Sequence, residues 1–428
     1  MIISELHKLF LECNFASTDT RKISKGDMFF ALKGDNFNGN TYAQEAIEQG
    51  AKYTIIDDAK YHISSETILV NDVLETLQTL ATYHRAYLKV PIIALTGSNG
   101  KTTTKELINA VLSKKYKTTA TTGNLNNHIG VPLTLLSMNE QTEIGIVEMG
   151  ANHQKEIEFL CNIAKPDYGL ITNFGKAHLE GFGGVEGVIK GKSEMYTHLM
   201  QNNKIVFVNY NDAIQIEKTK EAKTFTFGTK NQPVDVKISY KDARPFVTCE
   251  YEQLEIRSQL IGDYNFNNMA IAITIGNYFK VNKEEIKRAI ENYVPANNRS
   301  QIIQKGTIKI ILDAYNANPT SMKAALENFE KQKDNYKICI LGDMFELGKD
   351  AEKEHQYIAD LSSTMPFNHV VLIGENFYKT KLVSPKVSVF KSFLEFKDSF
   401  NFSQLTNTTL LIKGSRGMAL ERVLEYLG

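Results

Sequence analysis

The chain has 428 residues, 42% of them hydrophobic and 23% charged, and its 49 basic residues balance its 49 acidic residues. At roughly 150 residues per domain, this length predicts two or three domains, each with its own core. The ordinary composition excludes disordered, collagen-like and coiled-coil proteins. The zero net charge argues against nucleic acid as a partner, because a protein that neutralises many phosphates usually carries a basic excess.

The beginning of the chain argues against export. Glu5, His7 and Lys8 interrupt the apolar core that a secretory signal needs, and no apolar stretch of the sequence is long enough to span a bilayer. The four cysteines lie far apart without a CxxC spacing, which is typical of reduced thiols rather than of a disulfide framework or a zinc site. We therefore expect a cytoplasmic protein without membrane insertion.

Short apolar runs alternate with helix-like periods along the chain, which predicts α/β domains with mainly parallel sheets. In the first segment, residues 1–90, the pattern predicts a helix at 73–88 and strands at 27–32, 53–56 and 67–70. Pro91 then opens a new apolar run. We place a domain boundary near residue 90 and expect a small N-terminal α/β domain.

The second segment, residues 91–296, is the longest. Its pattern predicts helices at 264–279 and 283–293 and strands at 91–97, 116–121, 144–149, 168–174 and 203–209. From residue 234 to 260 the sequence changes to period-two alternation, which predicts an antiparallel hairpin or a small extra sheet. We expect a central parallel sheet of the P-loop ATPase type with an added antiparallel hairpin.

The third segment, residues 297–428, is a regular alternation of strands and helices. A last helix is predicted at about 417–427, and strands are predicted at 307–315, 336–344, 369–375 and 408–415. This pattern is typical of a doubly wound, Rossmann-like domain. The predicted fold class is therefore α/β with three domains.

The sharpest local signal is a glycine-rich run between a predicted strand and a predicted helix, Thr96-Gly97-Ser98-Asn99-Gly100-Lys101-Thr102-Thr103. Its glycines let successive N–H groups and the helix N-terminus face a phosphate chain. Lys101 suits the outer phosphates and Thr102 suits Mg²⁺. Leu95 stands where the full Walker pattern has another glycine. The alternative is a glycine-rich turn with an accidental lysine, which the strand–loop–helix context disfavours.

Three further side chains follow predicted strands of the same sheet. Glu148 ends an apolar strand, and its carboxylate should lie at the sheet edge beside the phosphate loop. His178 and Lys192 come after the next strand. Each has an ordinary alternative: a helix cap for the glutamate, a loop position for the histidine and a solvated helix position for the lysine. Their joint position at one sheet edge favours a shared site.

Two other polar segments carry binding chemistry. TTGNLNNHIG presents amide and hydroxyl groups that suit phosphate, sugar or peptide groups, although asparagines in left-handed turns are equally consistent. Asp313 stands at a strand end, where it suits ribose hydroxyls, and Thr320 or Ser321 is a plausible helix cap. Ordinary turns and caps remain open as the alternative.

The motifs and their order along the chain resemble those of a known enzyme family. TGSNGKTTTKE, NLNNHIGVPLTLL, EMGANHQKEI, ITNFGKAHLEGFGGVEGVIKGKSEMY, DAYNANPTSMKAAL, GDMFELG and KGSRGMALE occur in the order found in the Mur ligases. The resemblance covers essentially the whole chain. YNANPTSM and GDMFELG resemble the members that add D-alanyl-D-alanine, and the D-N-P-R motif typical of the members that add the third peptide residue is absent.

The resemblance implies an activity. The N-terminal domain would bind the uridine nucleotide, the central domain ATP, and the mobile third domain the incoming dipeptide. The enzyme would join the terminal carboxylate of a UDP-N-acetylmuramoyl-tripeptide to the amine of D-alanyl-D-alanine, while ATP becomes ADP and phosphate. Two Mg²⁺ ions are implied: Thr102 and Glu148 match ligands of the first, and His178 and Lys192 match partners of the second. The matching lysine of the family is usually carbamylated.

The resemblance also implies binding residues. The loop Gly97, Ser98, Asn99, Gly100, Lys101, Thr102 and Thr103 would cradle the phosphates of ATP. Residues similar to those that hold adenine and ribose are Asn268, Arg299, Asp313 and Asn316, and residues that match substrate contacts are Thr18, Thr20, Asn124, Asn126 and Asn127. Arg416 either binds a substrate carboxylate or is a surface arginine. Tyr264 departs from the family pattern, which has a histidine there, and Ser193 replaces a glycine.

Three alternative functions stay open on the sequence alone. A Mur-type ligase that adds the third residue would share most of the motifs. A P-loop NTPase switch would hydrolyse nucleotide without either co-substrate. A UDP-sugar-peptide binder that has lost turnover is disfavoured, because Lys101, Glu148, His178 and Lys192 are all intact. We expect a monomer, and the sequence does not reveal whether the third residue of the tripeptide is lysine or diaminopimelate.

Overall fold

The computed structural model describes residues 2–296, 298–381 and 384–427. Asn297, the predicted first residue of the third domain, lies outside the described residues, as do Met1 and Gly428. The chain folds into three α/β domains, each built on its own mainly parallel sheet. The predicted fold class is therefore confirmed.

The N-terminal domain contains a four-stranded parallel sheet in the order β1-β2-β5-β6 and a short antiparallel hairpin, β3-β4. The strands are β1 (Ala16–Ser17), β2 (Met28–Phe30), β3 (Lys33–Gly34), β4 (Phe37–Asn38), β5 (Tyr53–Ile56) and β6 (Thr67–Leu69). The helices are α1 (Ile3–Leu11), α2 (Ala43–Glu48) and α3 (Val73–Leu88). Asp72 caps α3 by accepting a hydrogen bond from the Glu75 N–H, and Lys89 ends the helix in a left-handed conformation.

A buried pair of histidines joins α1, α3 and the central domain. His7 Nε2 lies 2.9 Å from His84 Nδ1, and His84 Nε2 lies 2.9 Å from the carbonyl oxygen of Met138. Because His84 donates to this carbonyl, its Nδ1 accepts from His7, and both rings are neutral. Burial, with a smaller contribution from His84, lowers the pKa of His7 from 6.5 to about 4, and burial lowers the pKa of His84.

The histidine pair predicts that the protein loses stability in mild acid. The folded-state pKa values are lower than the unfolded ones, so the unfolded chain binds more protons as the pH falls from 6.5 towards 4. We expect the thermal midpoint to fall over this range, and to fall less in His7→Gln, which removes one titrating group. His62→Gln, at an exposed position, is the matched control and should keep the wild-type slope. Equal slopes in wild type and His7→Gln would contradict the assignment.

The central domain contains a nine-stranded sheet in the order β15-β14-β13-β12-β11-β10-β7-β9-β8. Its strands are β7 (Ile92–Thr96), β8 (Thr118–Ala120), β9 (Ile144–Glu148), β10 (Tyr168–Ile171), β11 (Ile205–Asn209), β12 (Lys223–Gly228), β13 (Val236–Asp242), β14 (Thr248–Tyr251) and β15 (Leu254–Arg257). Pairing is parallel from β8 to β13 and antiparallel through β14 and β15. The alternation between residues 234 and 260 therefore forms an antiparallel extension of the same sheet, and β12 was not predicted.

Helices cover both faces of the central sheet. They are α4 (Lys101–Leu112), α5 (Gly130–Leu136), α6 (Glu156–Ala164), α7 (Leu179–Phe182), α8 (Val185–Gln201), α9 (Ala213–Lys218), α10 (Asn265–Tyr278) and α11 (Lys283–Glu291). Helix α10 is apolar along most of its length and packs against α4, the helix that follows the phosphate loop. None of the helices in the described part of the chain is both long and apolar enough to cross a bilayer.

The third domain contains a six-stranded sheet in the order β16-β17-β21-β18-β19-β20, in which only β16 is antiparallel to its neighbour. The strands are β16 (Gln301–Lys305), β17 (Ile308–Asp313), β18 (Lys337–Gly342), β19 (His369–Ile373), β20 (Val387–Phe390) and β21 (Thr409–Lys413). The helices are α12 (Pro319–Lys331), α13 (Ala351–Thr364), α14 (Glu375–Tyr378) and α15 (Phe393–Ser399). The two edge strands, β16 and β20, were not predicted.

The last predicted helix, at about 417–427, is present as 3₁₀ turns and is not continuous. The segment forms two 3₁₀ helices, Arg416–Met418 and Leu420–Tyr426, separated by Ala419 in a left-handed conformation. Leu420 and Val423 are both buried three residues apart. A 3₁₀ helix places residues i and i+3 on one face, so this spacing lets both side chains reach the core.

Candidate functional site

A cavity of about 1190 Å³ lies at the carboxyl ends of the central strands, where ligands bind in open parallel sheets. All three domains line it: Leu74 and Gln78 come from the N-terminal domain, the phosphate loop from the central domain, and Asp313 and Glu346 from the third. The predicted site residues that line the cavity are Ser98, Asn99, Gly100, Lys101, Thr102, Thr103, Asn126, Asn127, Glu148, His178, Asn268, Arg299, Asp313 and Asn316.

The phosphate loop connects β7 to α4 and is held by the segment that follows β10. The backbone N–H of Ser98 donates to the Asn173 carbonyl at 3.1 Å, and the Asn99 N–H donates to Asn173 Oδ1 at 3.1 Å. Lys101 begins α4 and its Nζ donates to the Gly97 carbonyl at 2.8 Å. A loop held in this way ahead of a helix N-terminus is suited to bind a phosphate chain.

Gly97 is a position that only glycine fits. Its φ is 149°, and a Cβ built there would lie 1.9 Å from Thr172 Oγ1. We expect Gly97→Ala to displace the loop and weaken ATP binding at least about tenfold, because the phosphate-binding N–H groups lose their alignment. Isothermal titration with ATP measures the effect. Gly123→Ala, at a left-handed glycine with open space around it, is the matched control for backbone strain alone. Equal ATP affinity in the two variants would contradict the steric argument.

Glu148 and Thr102 place hard oxygen atoms beside the phosphate loop. Glu148 is buried at the end of β9; its Oε1 accepts a hydrogen bond from Asn126 Nδ2 at 2.8 Å, and its Oε2 has no hydrogen-bond partner among the described residues. A buried carboxylate oxygen without a donor is a fit for a cation. No cluster of three His, Cys, Asp or Glu side chains suited to a metal occurs in the described ranges. A Mg²⁺ ion held by Glu148 and Thr102 would take its other ligands from water and from phosphate oxygens.

Lys192 lies in α8, fully buried and outside the set of residues that line the cavity. Its Nζ is 5.2 Å from the centroid of the Phe182 ring. Burial, and then the nearby charge of Lys101, hold the pKa of Lys192 well below its usual value, against a smaller opposite effect of Glu156. Burial also lowers the pKa of Lys101, with Glu148 opposing and Arg299 reinforcing the shift. The alternative of a solvated Lys192 is thereby excluded.

His178 lies where the central and third domains meet. It has a left-handed conformation immediately before α7, and its Nδ1 forms a hydrogen bond with the carboxylate of Glu346 on the third domain. The Glu180 N–H donates to the Glu346 carbonyl at 3.2 Å. The hydrogen bond from His178 lowers the pKa of Glu346. His178 thus lines the cavity and also forms a contact between the central and third domains.

Two predicted adenine and ribose residues are already held by protein groups. Asn268 is buried beneath α4; its Oδ1 accepts from Thr104 Oγ1 at 3.0 Å and its Nδ2 donates to Asn265 at 2.7 Å. Asp313 accepts from the Ser300 N–H at 3.1 Å and from Lys413 Nζ at 2.6 Å. Both side chains are therefore pre-oriented at the cavity wall.

Arg299 and Asn316 complete this wall. The Arg299 guanidinium lies 3.6 Å from the centroid of the Tyr315 ring, and its buried Nε has no hydrogen-bond partner among the described residues. Asn316 Oδ1 accepts from the Ala317 N–H at 2.9 Å. Tyr264, which stands where the family pattern has histidine, places its hydroxyl 2.9 Å from Ser300 Oγ. A stacked arginine with a free donor suits an anionic or carbonyl group of a ligand.

Six predicted site residues are not among those that line the cavity: Gly97, Lys192, Thr18, Thr20, Asn124 and Arg416. Arg416 is exposed, with its Nη1 3.3 Å from Glu421 Oε1. Asn127, at the cavity wall, accepts hydrogen bonds from the N–H groups of Ile129 and Gly130, where α5 begins. Its side chain thus holds the local turn in addition to any contact with a ligand.

Several site residues were not singled out from the sequence. They are Asn173, Tyr315, Asn318, Glu346 and Lys413. Asn173 follows β10 and Lys413 ends β21, so a polar residue at the end of an apolar strand was the available signal. Asn318 caps α12 and also donates to Asn99 in the phosphate loop at 2.7 Å. No local pattern in the sequence indicates that second contact.

Family models match most of the chain. The catalytic-domain model of the Mur ligase family matches residues 12–88, the Mur ligase middle-domain model matches residues 95–276, and the Mur ligase glutamate ligase domain model matches residues 298–416. The chain belongs to the Mur ligase family. The three matched regions follow the three sheets along the chain.

Relatives of this Mur ligase are similar over nearly their full length. A protein of Bacillus subtilis named UDP-N-acetylmuramoyl-tripeptide–D-alanyl-D-alanine ligase is 33% identical over 422 residues, which cover 96% of this chain and 92% of that protein. A crystal structure of MurF from Acinetobacter baumannii has a TM-score of 0.87 at 30% identity and covers 99% and 98% of the two chains. MurF from Thermotoga maritima in complex with ADP has a TM-score of 0.83 at 25% identity and covers 97% of each chain.

Proposed function

We propose that this Mur ligase joins D-alanyl-D-alanine to UDP-N-acetylmuramoyl-tripeptide through an acyl phosphate and releases ADP and phosphate. The product is the pentapeptide precursor of peptidoglycan. The observation that carries the proposal is the cavity of about 1190 Å³, in which residues of all three domains surround the phosphate loop. The near full-length relatives named for this reaction support it.

In the first step, the terminal carboxylate of the tripeptide attacks the γ-phosphoryl group of ATP. The new bond joins a carboxylate oxygen to phosphorus, the bond to the β–γ bridging oxygen breaks, and ADP leaves. Lys101 and the N-terminus of α4 stabilise the charge on the transferring group, because both point positive charge towards the loop. Asn268, Arg299, Asp313 and Asn316, which also line the cavity, would hold adenine and ribose.

Thr102 and Glu148 are the residues that would hold a Mg²⁺ ion beside the phosphates, since the unpartnered Glu148 oxygen and the threonine hydroxyl are hard ligands. Bound there, the ion would offset the repulsion between an anionic carboxylate and anionic ATP. His178 and Lys192 would serve a second ion. In this proposal the unprotonated Lys192 amine adds CO₂ and loses a proton, giving a carbamate that presents oxygen atoms instead of an ammonium charge.

In the second step, the neutral amine of the dipeptide attacks the acyl carbon and phosphate leaves. The third domain would carry the dipeptide, with Arg416 releasing Glu421 to bind its carboxylate. The contact of His178 with Glu346 and that of Asn99 with Asn318 hold this domain against the phosphate loop. Such closure excludes water, which would otherwise hydrolyse the acyl phosphate. Thr18, Thr20, Asn124, Asn126 and Asn127 would contact the nucleotide and muramoyl peptide.

We propose that the enzyme acts as a monomer. ATP and a UDP-linked precursor are available together in the cytoplasm, so we place the reaction there. Nucleic acid and membrane insertion have no part in it.

The test is a product assay resolved by mass. With ATP, the UDP-muramoyl tripeptide and D-alanyl-D-alanine, we expect one pentapeptide and one phosphate per ATP consumed. Lysine or diaminopimelate in place of the dipeptide, each with the matching UDP-muramoyl dipeptide, should give no product. Amide formation with a single amino acid would instead identify a third-residue-adding ligase. ATP hydrolysis that needs neither co-substrate would identify an NTPase switch.

A further inference from the structure

The segment between β10 and α7, residues 172–178, contacts the third domain through Lys176. Lys176 Nζ lies 2.6 Å from Glu354 Oε1 on α13, and the Lys176 N–H donates to Thr320 Oγ1 on α12 at 2.9 Å. Both helices therefore meet a single residue of the central domain. The ion pair lies outside the set of residues assigned to ATP, metal or substrate.

The same segment is bound to the phosphate loop at its other end. Ser98 Oγ donates to the Gly175 carbonyl at 2.8 Å, and Thr172 Oγ1 donates to the Asn99 carbonyl at 2.6 Å. Only two residues separate Asn173, which holds the loop, from Lys176, which holds α13. A shift of the third domain at Lys176 would therefore directly change the position of that domain relative to the phosphate loop.

Burial distinguishes this ion pair from the Lys331–Asp263 pair, which also joins the central and third domains. The Glu354 side chain is only 6% exposed, whereas Lys176 is 46% exposed. A carboxylate that is removed from water costs free energy when it has no charged partner, so loss of Lys176 should have a measurable effect. The pair Lys331–Asp263, 2.6 Å apart, has both side chains about half exposed. Exposed pairs of that kind contribute little, which makes Lys331 a matched control.

We propose that Lys176 and Glu354 are positioning residues whose ion pair sets the docked orientation of the third domain during amine addition. The inference rests on the proposed function, because the third domain is taken to carry the dipeptide. If the domain docks at the wrong angle, the amine reaches the acyl phosphate more slowly and water competes for it. The distinctive consequence is uncoupling: phosphate released in excess of amide formed.

The test uses Lys176→Gln, Glu354→Gln, the charge-reversed double variant Lys176→Glu/Glu354→Lys, and the control Lys331→Gln in the full chain. We expect each single variant to lower kcat/KM for the dipeptide about tenfold and to raise the ratio of phosphate to amide above one. The KM for the UDP-tripeptide, whose proposed contacts lie on the other two domains, should not change. The double variant should regain most of the loss, and Lys331→Gln should stay within about twofold of wild type.

The inference would be overturned if the wild type released one phosphate per amide formed and the single variants matched it in kcat/KM and in the phosphate-to-amide ratio. A double variant whose loss equals the product of two independent losses would also overturn it. Thermal midpoints identify a variant that fails to fold. In that case Lys176→Gln, at the more exposed member of the pair, decides the test alone. A wild type that forms no pentapeptide would overturn the proposed function instead, so the two failures are distinguishable.

Discussion

Lys192→Ala is expected to lower turnover at least about a thousandfold, because the variant loses the carbamate that would serve the second metal ion. Lys192 is fully buried, and burial together with the charge of Lys101 lowers its pKa, which favours the neutral amine that adds CO₂. Steady-state assays with saturating substrates measure the loss. Short carboxylic acids such as formate should restore part of the activity by occupying the space of the missing carboxylate.

Lys190→Ala is the matched control for this prediction. Lys190 lies two residues away on α8 but is exposed, so its loss removes a similar side chain without touching the site. We expect turnover within about twofold of wild type. If Lys192→Ala kept full turnover, or if carboxylic acids restored Lys190→Ala and Lys192→Ala equally, the assignment of Lys192 to a metal site would be wrong.

Lys101→Met is expected to reduce kcat about a thousandfold or more, since it removes the positive charge nearest the transferring phosphoryl group. Methionine keeps much of the lysine stem, so α4 and the loop should stay folded. The loss should appear in kcat more than in the KM for the UDP-tripeptide, which binds elsewhere. Rapid-quench measurement of ADP formation in the first turnover separates this step from amine addition.

The control for Lys101→Met is Lys114→Met. Lys114 is exposed just beyond the carboxyl end of α4, far along the helix from the loop. Wild-type kinetics are expected from this variant. A first-turnover burst of ADP in Lys101→Met as fast as in wild type would show that Lys101 does not act on phosphoryl transfer.

The sequence predicted strands that are fully buried better than strands that are partly exposed, and the inner strand β12 belongs to the partly exposed ones. Strands such as Ile92–Thr96 and Ile144–Glu148 are buried on both faces and read as continuous apolar runs. The edge strand Gln301–Lys305 alternates in burial and is rich in polar residues, and Val387–Phe390 is only partly buried. Their pairing is decided by the neighbouring strand, so local pattern did not reveal them.

The phosphate loop was predictable because its residues are neighbours in the sequence. The position of Glu148 beside it was predictable because the carboxyl ends of parallel strands meet at one sheet edge. Contacts between domains were not. Glu346 reaches His178 across 168 positions, and Asn318 reaches Asn99 across 219. These contacts depend on how the third domain docks, which no spacing in the sequence encodes. Tyr264 illustrates a local substitution whose consequence, a hydrogen bond to Ser300, also needed the folded chain.

The central claim is that the peptide's own carboxylate becomes a mixed anhydride with phosphate before the amine arrives. The direct measurement is oxygen transfer with a tripeptide labelled with ¹⁸O in its terminal carboxylate. Mass spectrometry of the inorganic phosphate released with D-alanyl-D-alanine should show one labelled oxygen from that carboxylate. Unlabelled phosphate alongside normal amide formation would contradict the account, whatever the kinetics of the variants.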